Sequence, residues 1–139
     1  MTFRHEIQRR FGDADIYGHI NNVRFFEYLE DTRATWQRGF PAELPTHYGH
    51  IVVHQEIDYA AMLLPSDLPL VVEMSVSRIG HKSYTQDYRV FDDDGTEAAT
   101  AQAVMVIFDG VTGRAILIPE YMRDWMSKFA KSQDVQPLT

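Results

Sequence analysis

From residue 51 onward, stretches rich in β-branched and aromatic residues recur at short intervals, and this repetition constrains the fold more than any other property of the chain. Residues 51–59, 68–79, 83–91, 97–108 and 114–118 read as five strands. Their separators are turn chemistry: Pro65-Ser66-Asp67, Gly80-His81-Lys82, Asp92-Asp93-Asp94-Gly95 and Asp109-Gly110-Val111-Thr112-Gly113. Connections this short cannot carry a parallel crossover, so consecutive strands are expected to pair antiparallel. Upstream, residues 23–38 place Phe25, Phe26, Tyr28, Leu29, Thr32 and Trp36 close to the i, i+3, i+4, i+7 spacing of a helix with a wide apolar face, stopped by Gly39 and Pro41. A first strand is expected over residues 5–11. Pro119 opens a last helix with Tyr121, Met122, Trp125, Met126 and Phe129 on one face. The order strand, long helix, five strands, closing helix predicts an α+β fold, an antiparallel sheet wrapped around the long helix, in one domain over residues 1–131 with a polar tail over 132–139.

At 139 residues the chain is long enough to bury roughly two thirds of its unfolded surface without staples. It has no cysteine, which excludes disulfides, thiolate nucleophiles and Cys-ligated metals. The first residues lead into an alternating stretch rather than an apolar core, and no apolar run approaches a membrane span, so a soluble, cytoplasmic protein is expected. A net charge of -7 argues against sequence-independent nucleic-acid binding, while leaving room for a local basic patch that holds one small anion.

The chemistry is concentrated in residues 11–22, where Asp13, Asp15, His19, Asn21 and Asn22 share a glycine-containing turn at the start of the long helix. There the backbone N–H groups have no intrahelical partners. On their own these residues read two ways. Asp15 is a turn carboxylate that satisfies its own backbone, or a reactive group beside unpaired donors. Asn21 or Asn22 is the expected N-cap. Asp13 is expected to bond structurally to the turn, and His19 to bond the turn or join a site.

The pattern Asp13-x-Asp15-x-x-Gly18-His19-Ile20-Asn21-Asn22, with Tyr28-x-Glu30-x-x-Arg33 downstream, resembles the signature of hot-dog-fold thioesterases of the 4-hydroxybenzoyl-CoA and acyl-CoA type. The run from Val76 to Ser83 is similar to that family's strand turn near the CoA-binding edge, and residues 109–119 to its last hairpin. The resemblance implies hydrolysis of an acyl thioester, which needs chiefly a carboxylate and donors for a developing oxyanion. It assigns Asp15 as nucleophile or general base and the backbone N–H near Asn22 as oxyanion donor. It places His19 with these two in the catalytic group, orienting substrate or water, while Tyr17, Gly18 and Asn21 would meet substrate, and His19 with Asn21 shifts the expectation from aromatic toward aliphatic acyl groups. Arg78, His81, Lys82 and Ser83, with Arg89 nearby if register permits, would hold the CoA phosphates. A homodimer or homotetramer is implied, with the acyl site between subunits.

Other candidates take plainer expectations. Glu30 and Arg33 read as a helix-surface pair, and Glu27 is kept only by analogy with a branch that uses a helical glutamate. His47, His50 and His54 have metal-like spacing but fall on loop and strand, so no metal and no cofactor are expected. The Asp92–Asp94 run lacks the pattern of a calcium loop. Two other functions remain open beside hydrolysis: a non-catalytic acyl-thioester binding or sensing module, and hydratase or dehydratase chemistry.

Overall fold

The computed structural model describes residues 1–130, so the tail expected beyond residue 131 lies outside the described residues. Six strands form one antiparallel sheet: β1 (Phe3–Ile7), β2 (Tyr48–Tyr59), β3 (Leu70–Ile79), β4 (Ser83–Phe91), β5 (Glu97–Asp109) and the short β6 (Arg114–Ala115). Helices α1 (Asn22–Arg38) and α2 (Glu120–Ser127) complete the fold. The sheet wraps α1, burying Phe25, Tyr28, Leu29, Thr32 and Trp36 as the spacing predicts. Helix α2 adds Met122, Trp125 and Met126, and Trp125 stacks on Trp36 with ring centroids 4.5 Å apart. This is the hot-dog arrangement.

Three local expectations need correction. The first strand ends at Ile7, and a single 3-10 turn, Phe11–Asp13, follows. The last strand stops at Ala115, although the Ile116 N–H still donates to the Ile107 carbonyl. The third correction is topological: β2 does not pair with β3. The strand order is β1-β3-β4-β5-β2, so the ten residues between β2 and β3 carry the chain from one sheet edge toward the other. That link is anchored along its course rather than closed as a hairpin. Leu63 is fully buried, its carbonyl accepts the Ile20 N–H, and the Leu64 and Leu68 carbonyls accept from the Arg9 guanidinium.

The register sets the geometry of everything below. Tyr59 pairs with Ala99 at one end of β5, whereas Ser83 pairs with Val106 and Ile51 with Val106 near the other. β2 is also an outer strand, twelve residues long, with one edge unpaired among the described residues. A shift in pairing between Val52 and His54 leaves Val53 out of the ladder and exposed.

Candidate active site

The turn before α1 is built from the two aspartates, in different ways. Asp13 is 1 % exposed. Its Oδ2 accepts the Tyr28 hydroxyl at 2.7 Å and the Arg10 N–H at 3.1 Å, its Oδ1 accepts Arg10 Nε at 3.0 Å, and its carbonyl accepts the Asn21 N–H. Burial and the adjoining Asp13 carboxylate hold the Tyr28 phenol well above its usual range. Asp13 is therefore the structural carboxylate, as the sequence suggests.

Asp15 sits in a backbone loop closed by the bridge between Ala14 and Ile20. Its N–H donates to the His19 carbonyl at 2.7 Å, and its Oδ1 accepts the Tyr17 N–H at 2.9 Å and the His19 N–H at 3.2 Å. Gly18, at φ +79°, supplies the left-handed step this tight turn requires. Oδ2 makes no hydrogen bond among the described residues, so the turn holds the carboxylate by one oxygen and presents the other.

Asn21 is the N-cap: its side-chain oxygen accepts the Val23 N–H at 2.9 Å and its carbonyl the Arg24 N–H. That leaves the Asn22 N–H as the helix-start donor without a partner among the described residues. The Tyr59 hydroxyl donates to the Asn22 carbonyl at 2.8 Å and ties the helix start to the end of β2. Asp15, His19, Asn21 and Asn22 line one open cleft of about 500 Å³, walled by Ile20, Phe25, Tyr59 and the segment from Ala60 to Leu63. Among the described residues the His19 imidazole makes no hydrogen bond, and its backbone serves the turn.

The other expected site residues lie elsewhere. Tyr17 is 76 % exposed and, like Gly18, is not in the cleft wall. Arg78, His81 and Lys82 are exposed around the β3–β4 turn, where the Gly80 N–H donates to the Ser83 carbonyl and the His81 carbonyl accepts the Ile118 N–H. The seven positions of β5 between Ala99 and Val106 put this turn ~23 Å from the Asn22 end of the sheet. A single chain does not bring the two groups together. Arg89 is not part of the basic cluster: it sits at the Thr100 register, forks onto Glu97 and covers the Phe91 ring.

The helix corrects two further expectations. Arg33 does not form a surface pair with Glu30; it is 5 % exposed and points into the core, where it donates to the Tyr88 hydroxyl. Glu27 is engaged by Arg10 at 2.8 Å and by Arg24, which hold its carboxyl below the usual range, so it is committed to ion pairs.

One group escaped sequence reasoning. His50 lies on the inner face of β2, and its Nδ1 is 2.6 Å from the hydroxyl of the fully buried Tyr84. Burial pushes the imidazole down to about 4. The spacing of His47, His50 and His54 drew attention to metal ligation instead; a His and a Tyr 34 positions apart carry no local signal of pairing.

An aspartate held at a glycine turn beside the open N-terminus of a helix embraced by an antiparallel sheet defines the hot-dog thioesterase class. The model of the thioesterase-like superfamily matches residues 9–126, and the chain belongs to that family. It is an enzyme of the thioesterase type. The long-chain acyl-CoA thioesterase FadM of Escherichia coli is 24 % identical over 91 % of this chain and 98 % of its own length. Among solved structures, a predicted thioesterase from Bacillus stearothermophilus superposes with a TM-score of 0.85 at 25 % identity, covering 94 % of this chain and 97 % of the other. A thioesterase from Thermus thermophilus, complexed with coenzyme A and Zn, has a TM-score of 0.74 at 28 % identity over 87 % of this chain and 94 % of its own.

Proposed function

We propose that the protein hydrolyses an acyl-CoA thioester to the free acid and CoA, with Asp15 as the reacting carboxylate and the Asn22 N–H as the oxyanion donor. The observation that carries this is the pairing, in one cleft, of a carboxylate oxygen and a helix-start N–H that both lack partners. The donor stands at the positive end of α1, where charge developing on the thioester oxygen is stabilised. Asp15 Oδ2 either attacks the carbonyl, giving a mixed anhydride that water then opens, or takes a proton from the attacking water. In both routes a C–O bond forms, the C–S bond breaks, and the thiolate leaves and is protonated. His19 and Asn21, on the same cleft wall, orient the acyl group or the water.

The reading includes a dimer. The unpaired edge of β2 is a template for a second strand. A two-fold axis near the middle of that strand makes the Tyr59 end of one β2 face the Tyr48 end of the other. The cleft of one subunit then meets Arg78, His81, Lys82 and Ser83 of the other subunit, which accounts for the ~23 Å separation within one chain. The CoA complex of the Thermus relative supports a CoA-type leaving group.

The test is thiol release from short, long and aromatic acyl-CoA esters by wild type and Asp15→Asn. The absence of cysteine keeps a thiol-reactive chromophore free of background from the protein. Turnover of at least one ester, lost in Asp15→Asn, is expected. Binding without turnover would instead make the chain a thioester-binding module, and hydration of crotonyl-CoA a hydratase. Light scattering is expected to give a mass of at least twice the 16.1 kDa of the chain.

A further inference from the structure

The His50–Tyr84 pair is absorbed neither by the core nor by the cleft at Asn22. Tyr84 is buried at 0 % exposure between Trp36, whose ring lies 6.0 Å away, and His50, whose ring meets it edge-on at 5.8 Å. Burial, and to a smaller degree the neighbouring Tyr88, hold the Tyr84 phenol well above its usual range, so it keeps its hydrogen. Its one geometric hydrogen-bond partner among the described residues is His50 Nδ1 at 2.6 Å, and a buried hydroxyl hydrogen left without an acceptor is costly, so the hydrogen goes to that nitrogen. The tautomer follows: Nε2 carries the hydrogen and is a neutral donor. Nε2 has no partner among the described residues and is not among the buried unpaired atoms, so it reaches the surface. A fixed, neutral N–H on an outer strand is an arrangement built to meet an acceptor.

His50 sits at the Ile107 register, one step beyond the row that contains Ser83. It therefore lies between the unpaired edge of β2 and the basic turn. In the edge-paired dimer it stands between the two groups that would hold the ends of the substrate, the thioester in one subunit and the phosphates at the other. We propose that His50 is a substrate-binding residue that each chain contributes to the site of its partner, its Nε2–H donating to an amide carbonyl on the pantetheine arm, with Tyr84 as the positioning residue that sets its tautomer. A carbonyl is the fitting acceptor because the donor is uncharged; the phosphates fall to Arg78 and Lys82. This rests on the hydrolase reading and on its edge-paired dimer.

The experiment takes an acyl-CoA that the wild type hydrolyses. His50→Ala is expected to raise KM about tenfold, the worth of one hydrogen bond, with kcat within about twofold. Tyr84→Phe, which frees the tautomer but leaves Nε2 in place, is expected to raise KM by a smaller factor. The deciding measurement mixes His50→Ala with Asp15→Asn after subunit exchange. A mixed dimer has one site with both native groups, so kcat/KM recovers to about a quarter of wild type at equal mixing, against about a twentieth if both residues serve the same chain's site. An unchanged KM in His50→Ala, a loss confined to kcat, or a mixture that stays at a twentieth would each overturn the inference. A wild type without turnover, or an active Asp15→Asn, overturns the hydrolase reading instead, so the two failures are separable.

Discussion

Two carboxylates two residues apart have opposite roles here, and replacing each by its amide separates them. Asp13 is a buried acceptor of three hydrogen bonds, from the Tyr28 hydroxyl, the Arg10 N–H and Arg10 Nε, with its side chain 2 % exposed. In Asp13→Asn the new NH2 points a donor at a donor whichever way the amide turns. A bond to a charged group is worth about 1.5–3 kcal/mol and the mismatched donor stays buried, so a loss of about 3 kcal/mol is expected. Asp15→Asn is different. Its Oδ1 still accepts the Tyr17 and His19 N–H groups, and asparagine suits such turns, so stability is expected to change by no more than about 0.5 kcal/mol. What it loses is the free oxygen, and with it ~10²–10⁴ in kcat. Urea unfolding followed by tryptophan fluorescence reads the first quantity, with a midpoint lowered by ~1–2 M in Asp13→Asn at typical slopes. Thiol release reads the second, assayed where both variants are folded. A stable but inactive Asp13→Asn beside a destabilised, active Asp15→Asn would exchange the two assignments and refute the argument from hydrogen-bond satisfaction.

Arg9→Met is expected to cost about 3–5 kcal/mol in thermal or urea unfolding, because the guanidinium, 2 % exposed, holds Asp92 and Asp93 at 2.8 Å and the Leu64 and Leu68 carbonyls, and its loss leaves them uncompensated. His50 confers a pH dependence whose sign is set by its depressed value. The unfolded chain takes up a proton near 6.5 and the folded one only near 4, so stability is whole above about pH 6.5 and falls as pH drops toward 4. Urea midpoints across pH 4–7 are expected to show this slope in wild type and a shallower one in His50→Gln. Asn21→Ala, by removing the cap on Val23, is expected to cost about 1 kcal/mol in the same unfolding assay. Val53→Lys, which puts a charge at the exposed irregularity of the outer strand, is expected to shift the mass measured by light scattering toward 16.1 kDa and to abolish turnover together with the dimer.

Much of the architecture was legible in residue order. The helix face over residues 23–38, three of the four turns, the closing helix and a cap at Asn21 or Asn22 all follow from periodicity and local chemistry, and the structure places them within a few residues of expectation. Asp13 and Asp15 share one glycine-containing turn in the sequence, and only the family resemblance told them apart. Arg33 could not be read: charge and spacing suggested a surface pair with Glu30, and only the packing of α1 shows a guanidinium turned inward to Tyr88. The same holds for β2. Its alternation reports a strand with one face covered, but a strand of that pattern is equally served by β3 or by β5.

By itself, then, the sequence determined the kinds of element, their order and the chemical content of the turn before α1, because these depend on interactions within a few residues. Tertiary structure decided which strands are neighbours, which charges are buried, and that the acidic cleft and the basic turn stand at opposite ends of one sheet. Those outcomes depend on how the whole chain buries its apolar faces together. The single hydrogen bond between His50 and Tyr84 exists only once β5 has taken its place between their two strands.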